Sequence, residues 1–179
     1  MRPAKSTRQA TLFCLLILCL TSLGLASPAN SAPGDNGIVQ TEEGFTITLS
    51  DESRQAIDNG VPLTFVCRFA MQKKFAFLTW NTDYHAHRFM VSRHVLSNRY
   101  LVRINNAQRP KIFASLTQTM AYISRVSLEL FGNYSSQQNE YKMRLSLSKY
   151  ELPGPMRLNA FISSDWNLDT GWIAWASED

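Results

Sequence analysis

The sequence predicts a mainly β fold of the α+β kind. We expect an antiparallel β-sandwich or a strongly curved sheet of about six to eight strands, with two short helices packed on it. Apolar and polar residues alternate with period two along most of the chain after residue 44, as half-buried strands require. The chain shows no strand–helix–strand rhythm and no glycine-rich phosphate loop. Both observations favour antiparallel over parallel sheets.

The composition is that of an ordinary globular domain. Of 179 residues, 45% are apolar and 18% are charged, with a formal charge of +4. Three of the eighteen basic residues, Arg2, Lys5 and Arg8, precede the first acid, Asp35, which leaves fifteen basic residues against fourteen acids. The remaining domain is nearly neutral, so we expect no nucleic-acid partner.

The N-terminus has the three parts of an export signal, which we place at residues 1–31. A basic start precedes the sixteen uncharged, mostly apolar residues 11–26, and small residues follow. Cleavage after Ala26 or after Ser31 both fit. The protein is then expected in the periplasm or secreted. An uncleaved segment would anchor it in the inner membrane, although a span needs roughly 20 apolar residues.

Residues 32–43 are predicted to be a linker, and residues 44–179 a single β-rich domain. Phe45, Ile47 and Leu49 share one face of a first strand. Ser50 or Asp51 caps a helix, DESRQAID, that ends at Asn59-Gly60. A long strand follows Pro62, and its apolar face includes Leu63, Phe65, Cys67, Phe69 and Met71. This placement makes Cys67 a buried small side chain rather than a reactive thiol.

A β-hairpin is predicted around a two-residue Ser97-Asn98 loop, which would pair Val95 with Tyr100 and Arg93 with Val102. Its apolar face carries Phe89, Val91, Val95, Tyr100, Val102 and Ile104. Arg93 shares that parity, and an inward guanidinium needs a carboxylate partner. We predict a structural ion pair between Arg93 and Asp165, because Asp165 flanks a tryptophan of core type.

A second helix is predicted from Ser115, which forms a capping box with Gln118. Leu116, Met120, Ile123 and Val126 form its apolar stripe, although Val126, Leu128 and Leu130 also fit a strand. Residues 141–148 alternate as a half-buried strand, which LPGP at 152–155 interrupts.

Candidate binding residues are few. Trp166, Trp172 and Trp175 lie within ten positions near the C-terminus, and in a strand Trp172 and Trp175 would point to opposite sides. One tryptophan is expected to close the core and another to be exposed. His94 and Arg99 lie on the polar face of the hairpin, where they could bind an anion.

A metal site is a weaker alternative. Asp83, His85 and His87 stand two apart, so one face of a strand would carry all three potential ligands. No further Cys/His cluster completes such a site, and we favour two partly buried histidines that are hydrogen-bonded to the backbone or to Asp83. We therefore predict no cofactor, and the sequence offers no catalytic residues, since it has no G-x-S-x-G elbow and no assignable carboxylate pair.

Three stretches resemble one protein family: NGVPLTFVCRF (59–69), RHVLSNRYLV (93–102), and SSDWNL with GWIAW (163–168 and 171–175). They are similar to the proteobacterial domain-of-unknown-function family 4390, whose members are small exported proteins. The resemblance covers most of residues 44–176, and DYHAH (83–87) departs from it. It implies no activity and no catalytic residues. Genes of this family often lie beside a membrane histidine kinase and its response regulator, which implies an accessory or sensing role.

The sequence therefore leads to an ordered set of functional expectations. The first is a non-enzymatic extracytoplasmic module that contacts another envelope protein, for which a two-component sensor kinase is a candidate. The second is a metal-dependent envelope enzyme that uses Asp83, His85 and His87. The third is a carrier of a small apolar ligand inside a curved sheet.

Overall fold

Alternating side chains produce eight strands in the part of the chain that the computed structural model describes, residues 37–41, 44–135 and 141–174. The strands are β1 Gly37–Thr41, β2 Gly44–Thr48, β3 Leu63–Phe75, β4 Leu78–His94, β5 Arg99–Ile104, β6 Lys111–Phe113, β7 Tyr141–Leu147 and β8 Ile173–Ala174. They form a two-stranded sheet, β1-β2, and a six-stranded sheet in the order β6-β5-β4-β3-β7-β8, with antiparallel pairing throughout. The expectation of a mainly β, antiparallel fold is confirmed.

The first helix, α1 Asp51–Asp58, has the predicted bounds. The Ser50 side-chain oxygen accepts a hydrogen bond from the Ser53 N–H at 3.1 Å, so Ser50 is the N-cap. The Asn59 N–H donates to the Gln55 carbonyl, and Gly60 follows with φ +85°, where a side chain would be strained. The sequence predicted both ends of this helix because the residues that begin and end it, Ser50 and Asn59-Gly60, directly flank it.

The second helix, α2 Leu116–Ser135, is longer than its sequence signals require. It continues through Val126, Leu128 and Leu130, so the strand alternative for these residues is wrong. The helix packs against β2, where the Phe45 N–H donates to the Ser124 hydroxyl at 2.8 Å. Gly44 permits this approach, because a Cβ at that position would lie 2.8 Å from the Ser124 hydroxyl oxygen.

The third helix, α3 Gly154–Ile162, was not predicted, since LPGP indicates only a break. Pro153 is its N-cap and Pro155 lies in its first turn. Backbone N–H groups in a first turn have no partner within the helix, so a proline there removes nothing. Of the three α-helices in the described residues, α1 and α2 begin at side-chain caps. The start of α3 contains prolines that are usually read as the end of an element.

The core lies between the six-stranded sheet and the helices, and contains Phe65, Phe69, Phe89, Ile123 and Trp166. Cys67 is fully buried among these side chains, as predicted. Burial raises the pKa of its thiol to about 12, and the nearby Ser127 hydroxyl opposes this rise only weakly. The thiol is therefore protonated and poorly nucleophilic at neutral pH.

The β4–β5 hairpin corrects the predicted register. His94 lies opposite Arg99, Arg93 opposite Tyr100 and Val91 opposite Val102, so the pairing is shifted by two residues and the turn spans residues 95–98. A shift of two leaves every paired side chain on its predicted face. Val95 leaves the strand, however, and is 68% exposed rather than part of the core.

The domain boundary also differs from the prediction. Residues 37–41, expected in the linker, form β1 and pair with β2 from Gly37↔Thr48 to Thr41↔Gly44. The predicted export signal and Trp175 lie outside the described residues. Within the described part of the chain, no helix has the length and apolar character needed to cross a membrane.

Candidate interaction surfaces

Arg93 does pair with a carboxylate, but its partner is Asp58 and not Asp165. The Arg93 Nη1 lies 3.1 Å from the Asp58 Oδ1 and 3.1 Å from the Asp58 carbonyl oxygen, so it also satisfies the C-terminal end of α1. The Tyr100 hydroxyl donates to the same carboxylate at 3.0 Å. Asp165 instead accepts from the Ser163 hydroxyl, and its carbonyl oxygen accepts from Ser53 near the other end of α1.

The metal alternative of Asp83, His85 and His87 stays a prediction, because the Asp83 side chain lies outside what the structure describes. Phe69 lies opposite His85, whereas Met71 lies opposite Thr82, so an irregularity in the pairing falls between them. His85 and His87 both lie on the same side of this irregularity, opposite Phe69 and Cys67 in regular pairing. Among the side chains described, no three His, Cys, Asp or Glu residues form a group that could hold a metal ion.

Both histidines contact the C-terminal end of α2. The His85 ring stacks on Tyr134, with centroids 4.9 Å apart. The His87 Nε2 lies 3.4 Å from the Tyr134 hydroxyl, and its Nδ1 lies 2.9 Å from the Asn105 side-chain nitrogen. Burial, with the charge of His85 as a second cause, lowers the pKa of His87. The pair therefore joins helix to sheet.

His94 and Arg99 lie side by side, directly paired and both exposed, at the end of the β4–β5 hairpin. The His94 Nδ1 contacts the Ser97 hydroxyl at 3.0 Å within the turn. This contact orders the turn. The anion site predicted for His94 and Arg99 stays a prediction.

The tryptophans have separate roles. Trp166 is fully buried, and no described group lies within hydrogen-bonding distance of its indole nitrogen. Trp172 is half-buried against the ring of Tyr84, with centroids 6.1 Å apart. Trp166 is therefore a core tryptophan. The exposed tryptophan stays a prediction, since Trp172 is half-buried and Trp175 lies outside the described residues.

An ion pair fastens the C-terminal segment beside β7. The Arg144 Nε donates to Asp169 Oδ1 at 2.9 Å and Oδ2 at 3.1 Å, and the Arg144 Nη2 also donates to Oδ2. Burial raises the pKa of Asp169, but hydrogen bonds from Arg144 and from the Gly171 N–H outweigh it, so the net pKa lies below its usual value. Leu147 and Leu168 continue this attachment through a backbone hydrogen bond of 2.8 Å.

The most exposed apolar region is the end of the β3–β4 hairpin, residues 72–81, which we call the hairpin tip. β7 pairs with β3 only as far as Met71, and β5 pairs with β4 only from Phe89 onward, so the tip is a two-stranded ribbon. Phe75 is 72% exposed and Phe77 is 91% exposed, and Leu78 and Trp80 are exposed beside them. Large apolar side chains rarely cluster in this way on a free surface.

The two faces of the hairpin tip differ in polarity. Phe75 lies opposite Leu78, and Lys73 lies opposite Trp80, so these four share one face because directly opposed residues do. Gln72 lies opposite Asn81 on the other face. Ala76 turns the chain with φ +53°, a left-handed conformation that is strained for a residue with a side chain.

A second apolar surface runs along α3. Leu158, Phe161 and Ile162 stand at i, i+3 and i+4, so they form one stripe of the helix, and all three are exposed. Tyr150 packs edge-on against Phe161, with ring centroids 5.0 Å apart. We call Tyr150, Leu158, Phe161 and Ile162 the α3 ridge.

The side of α3 opposite the ridge is packed into the core. Ala160 on the opposite side of the helix is fully buried, and Leu152 and Trp166 are buried in the same core cluster. The Asn159 side-chain nitrogen donates to the Glu52 carboxylate at 2.6 Å, which ties α3 to α1. The exposed stripe is therefore a fixed surface.

An open cleft of about 410 Å³ lies between β2 and α2. Its apolar lining includes Phe45, Ile47, Leu49, Leu116 and Met120, and Arg54 contributes one charge. This cleft is the described feature that best fits the carrier hypothesis.

The hairpin tip and the α3 ridge each have sequence features, other than period-two alternation, that indicate them. Residues 59–82 contain no acid, and FAFLTW (75–80) is too apolar for a solvated hairpin end. The spacing of Leu158, Phe161 and Ile162 indicates a helix once the proline is placed in its first turn. Asp58, in the last turn of α1 where the helix dipole disfavours an acid, indicated that a cation lies nearby.

Comparison with known proteins agrees with the resemblance seen in the sequence. The model of a family described as a domain of unknown function, DUF4390, matches residues 29–176. No curated protein and no solved structure matches the chain. The matched region includes the hairpin tip, the α3 ridge and the cleft. The chain belongs to the DUF4390 family.

Proposed function

We propose that this protein is a non-enzymatic extracytoplasmic module of the cell envelope that binds another envelope protein through the α3 ridge. The observation that carries the proposal is the exposed apolar stripe on a helix whose other side is anchored in the core. A stripe at i, i+3 and i+4 normally faces a partner element, and among the described residues nothing covers this one.

The chemistry of the α3 ridge fits a protein partner. Aromatic and aliphatic anchors at its centre are the side chains enriched in the energetically dominant part of interfaces. Charges of both signs flank it in sequence, with Lys149 and Glu151 on either side of Tyr150, Arg157 next to Leu158, and Asp165 after the helix. A mixed border fits the polar rim of a protein interface better than a uniformly charged lipid surface.

The rigidity of the ridge supports the same assignment. Because α3 is fixed by Ala160 in the core and by the Asn159–Glu52 hydrogen bond, little conformational entropy would be lost when a partner binds. The predicted export signal supports looking for this partner among envelope proteins. The ectodomain of a sensor kinase is one candidate.

Site-specific crosslinking in cells tests the proposal. A photoreactive residue at Leu158 or Ile162 should give one saturable crosslinked species in the envelope fraction. Phe161→Ser should reduce that species strongly, since it removes the central anchor without touching the core. The matched control position is Leu96, which is 94% exposed in the β4–β5 turn. Absence of a specific adduct at Leu158 and Ile162, or an equal adduct at Leu96, would refute the proposal.

The cleft between β2 and α2 supports a second candidate function, a carrier of a small apolar ligand. Its volume of about 410 Å³ falls in the range of small-molecule sites. Native mass spectrometry of the exported protein should then detect a bound molecule that Met120→Trp, which would fill the cleft, excludes. If the wild type and Met120→Trp both show only the mass of the protein without a ligand, the carrier function is contradicted.

A further inference from the structure

The hairpin tip differs from the α3 ridge in charge and in shape, and it does not fit the same kind of partner. No acid occurs between Asp58 and Asp83, whereas Lys73 is exposed within the tip and Lys74 follows it in sequence. The ridge has a mixed border. The tip combines large apolar side chains with positive charge only.

We propose that the hairpin tip docks on the surface of a membrane that contains anionic lipids, independently of the partner bound by the α3 ridge. Tryptophan, phenylalanine and leucine beside lysine are the side chains that settle at the boundary between lipid headgroups and acyl chains. Lys73 lies directly opposite Trp80 on the apolar face, so both reach the same depth. The ammonium group meets the headgroups while the indole enters the boundary region.

The dimensions of the hairpin tip suit shallow insertion. Four residue pairs extend beyond Met71, which corresponds to about 13 Å of ribbon at about 3.3 Å per residue. Amphipathic elements at membrane surfaces bury their apolar face to about 5–10 Å. Deeper entry is disfavoured because both edges of a two-stranded ribbon expose backbone groups that would lose water without gaining partners. The tip is therefore a surface anchor and not a span.

The position of the tip keeps it available for docking. Within the described ranges, which omit residues 136–140, the cover that helix α2 gives the sheet extends to Tyr134, which stacks on Phe69 and His85. The apolar residues of the tip continue the same strands past the end of that helix. Docking there would leave the ridge, on a separate helix, able to bind its own partner.

A fluorescent label at the turn tests the proposal directly. In a background with Cys14→Ser and Cys19→Ser, Phe77→Cys provides the reactive thiol, because Cys67 is buried and its thiol is protonated. An environment-sensitive dye at this position should brighten with vesicles of equal parts phosphatidylglycerol and phosphatidylcholine. It should not brighten with phosphatidylcholine alone, and salt should weaken the response. Leu96→Cys is the matched control, since it is equally exposed in another turn and should not respond.

Further variants separate the two contributions. Combining Phe75→Ser with Trp80→Ser should raise the lipid concentration needed for half of the response by at least tenfold, through lost apolar burial. Lys73→Gln should raise it by about fivefold through the lost charge. The dye position reports contact at the tip even where the N-terminal segment is retained as an anchor.

Four results of the fluorescence measurements would overturn the proposal. They are no response at Phe77→Cys, an equal response to neutral and anionic vesicles, an equal response at Leu96→Cys, and brightening that follows protein concentration without vesicles. The last would identify a second copy of this chain as the occupant of the tip. A photoreactive residue at Phe77 that captures one specific protein in cells would equally exclude a lipid surface. The crosslinks from the α3 ridge are measured separately, so each proposal can fail without the other.

Discussion

The hairpin tip and the α3 ridge expose similar apolar side chains but are supported in opposite ways. The ridge stands on a helix whose inner side, Ala160, is buried in the same core cluster as Trp166 and Leu152. Among the described residues, the tip is a two-stranded ribbon without a buried side chain. Apolar exposure alone therefore does not identify the kind of partner. Our two proposals rest instead on the support beneath each surface and on the sign of the charges around it.

The largest expected difference between the two regions is in stability. Trp166→Ala should lower the free energy of unfolding by about 3–5 kcal/mol, because it opens a cavity under the ridge. Trp80→Ala at the tip should change it by less than about 0.5 kcal/mol, since the side chain is exposed. Urea denaturation measures both. If Trp166→Ala does not fold, Trp166→Phe gives the same ordering with a smaller loss. Equal losses at the two positions would contradict the comparison.

The attachment of the segment that follows α3 can be weakened selectively. Asp169→Asn should cost about 1 kcal/mol at pH 7, a modest value because the Arg144 side chain is 37% exposed. The folded-state pKa of Asp169 is lowered, so its contribution is complete above the unfolded pKa of about 3.9 and is lost as the pH falls through the lower folded value. The stabilities of the wild type and of Asp169→Asn should therefore converge as the pH falls below the lowered folded-state pKa of Asp169. A difference that does not shrink as the pH is lowered would show that the ion pair is not its source.

A substitution in the strained turn of the hairpin tip should have a smaller effect, and it should stabilise the structure rather than destabilise it. Ala76→Gly should relieve the left-handed conformation at φ +53° and stabilise the ribbon by up to about 1 kcal/mol. Since the tip can open without unfolding the core, slower amide exchange in residues 72–81 is the appropriate measurement. Asn106→Gly is the control. The φ of Asn106 is +61°, but asparagine tolerates this region, so little change is expected. Faster exchange in the tip of Ala76→Gly would contradict the prediction.

The smallest effect on stability is expected at His87, which lies where the part of the sheet covered by α2 ends and the strands continue toward the hairpin tip. The pKa of His87 is lowered by burial and by His85, so the folded state favours neutral His87. Its contribution is present above the unfolded pKa of about 6.5 and is lost as the pH falls toward the lower folded pKa. His87→Asn should therefore show a shallower loss of stability between pH 7 and pH 5 than the wild type. A parallel decline in both proteins would assign the pH dependence to other groups.

Local patterns predicted much of this structure because their causes are local. Alternation located the long strand, the apolar faces of the β4–β5 hairpin and the burial of Cys67. Side-chain caps located α1 and the start of α2. The hairpin register was shifted by two because turn length depends on the His94–Ser97 contact and on the sheet around it. Helix α3 was missed because a proline in a first turn resembles a breaker.

The sequence by itself determined the mainly β, antiparallel character and the family membership, since both follow from residue patterns along the chain. It also determined that Arg93 needs an acid. Only the tertiary structure decided that this acid is Asp58 and not Asp165, because the choice depends on which end of α1 approaches the hairpin. It likewise decided that FAFLTW is exposed, since β3 and β4 continue past the ends of their neighbouring elements. Burial of a segment depends on which other elements pack against it in the folded structure. The pattern of hydrophobic residues along the chain does not specify those contacts.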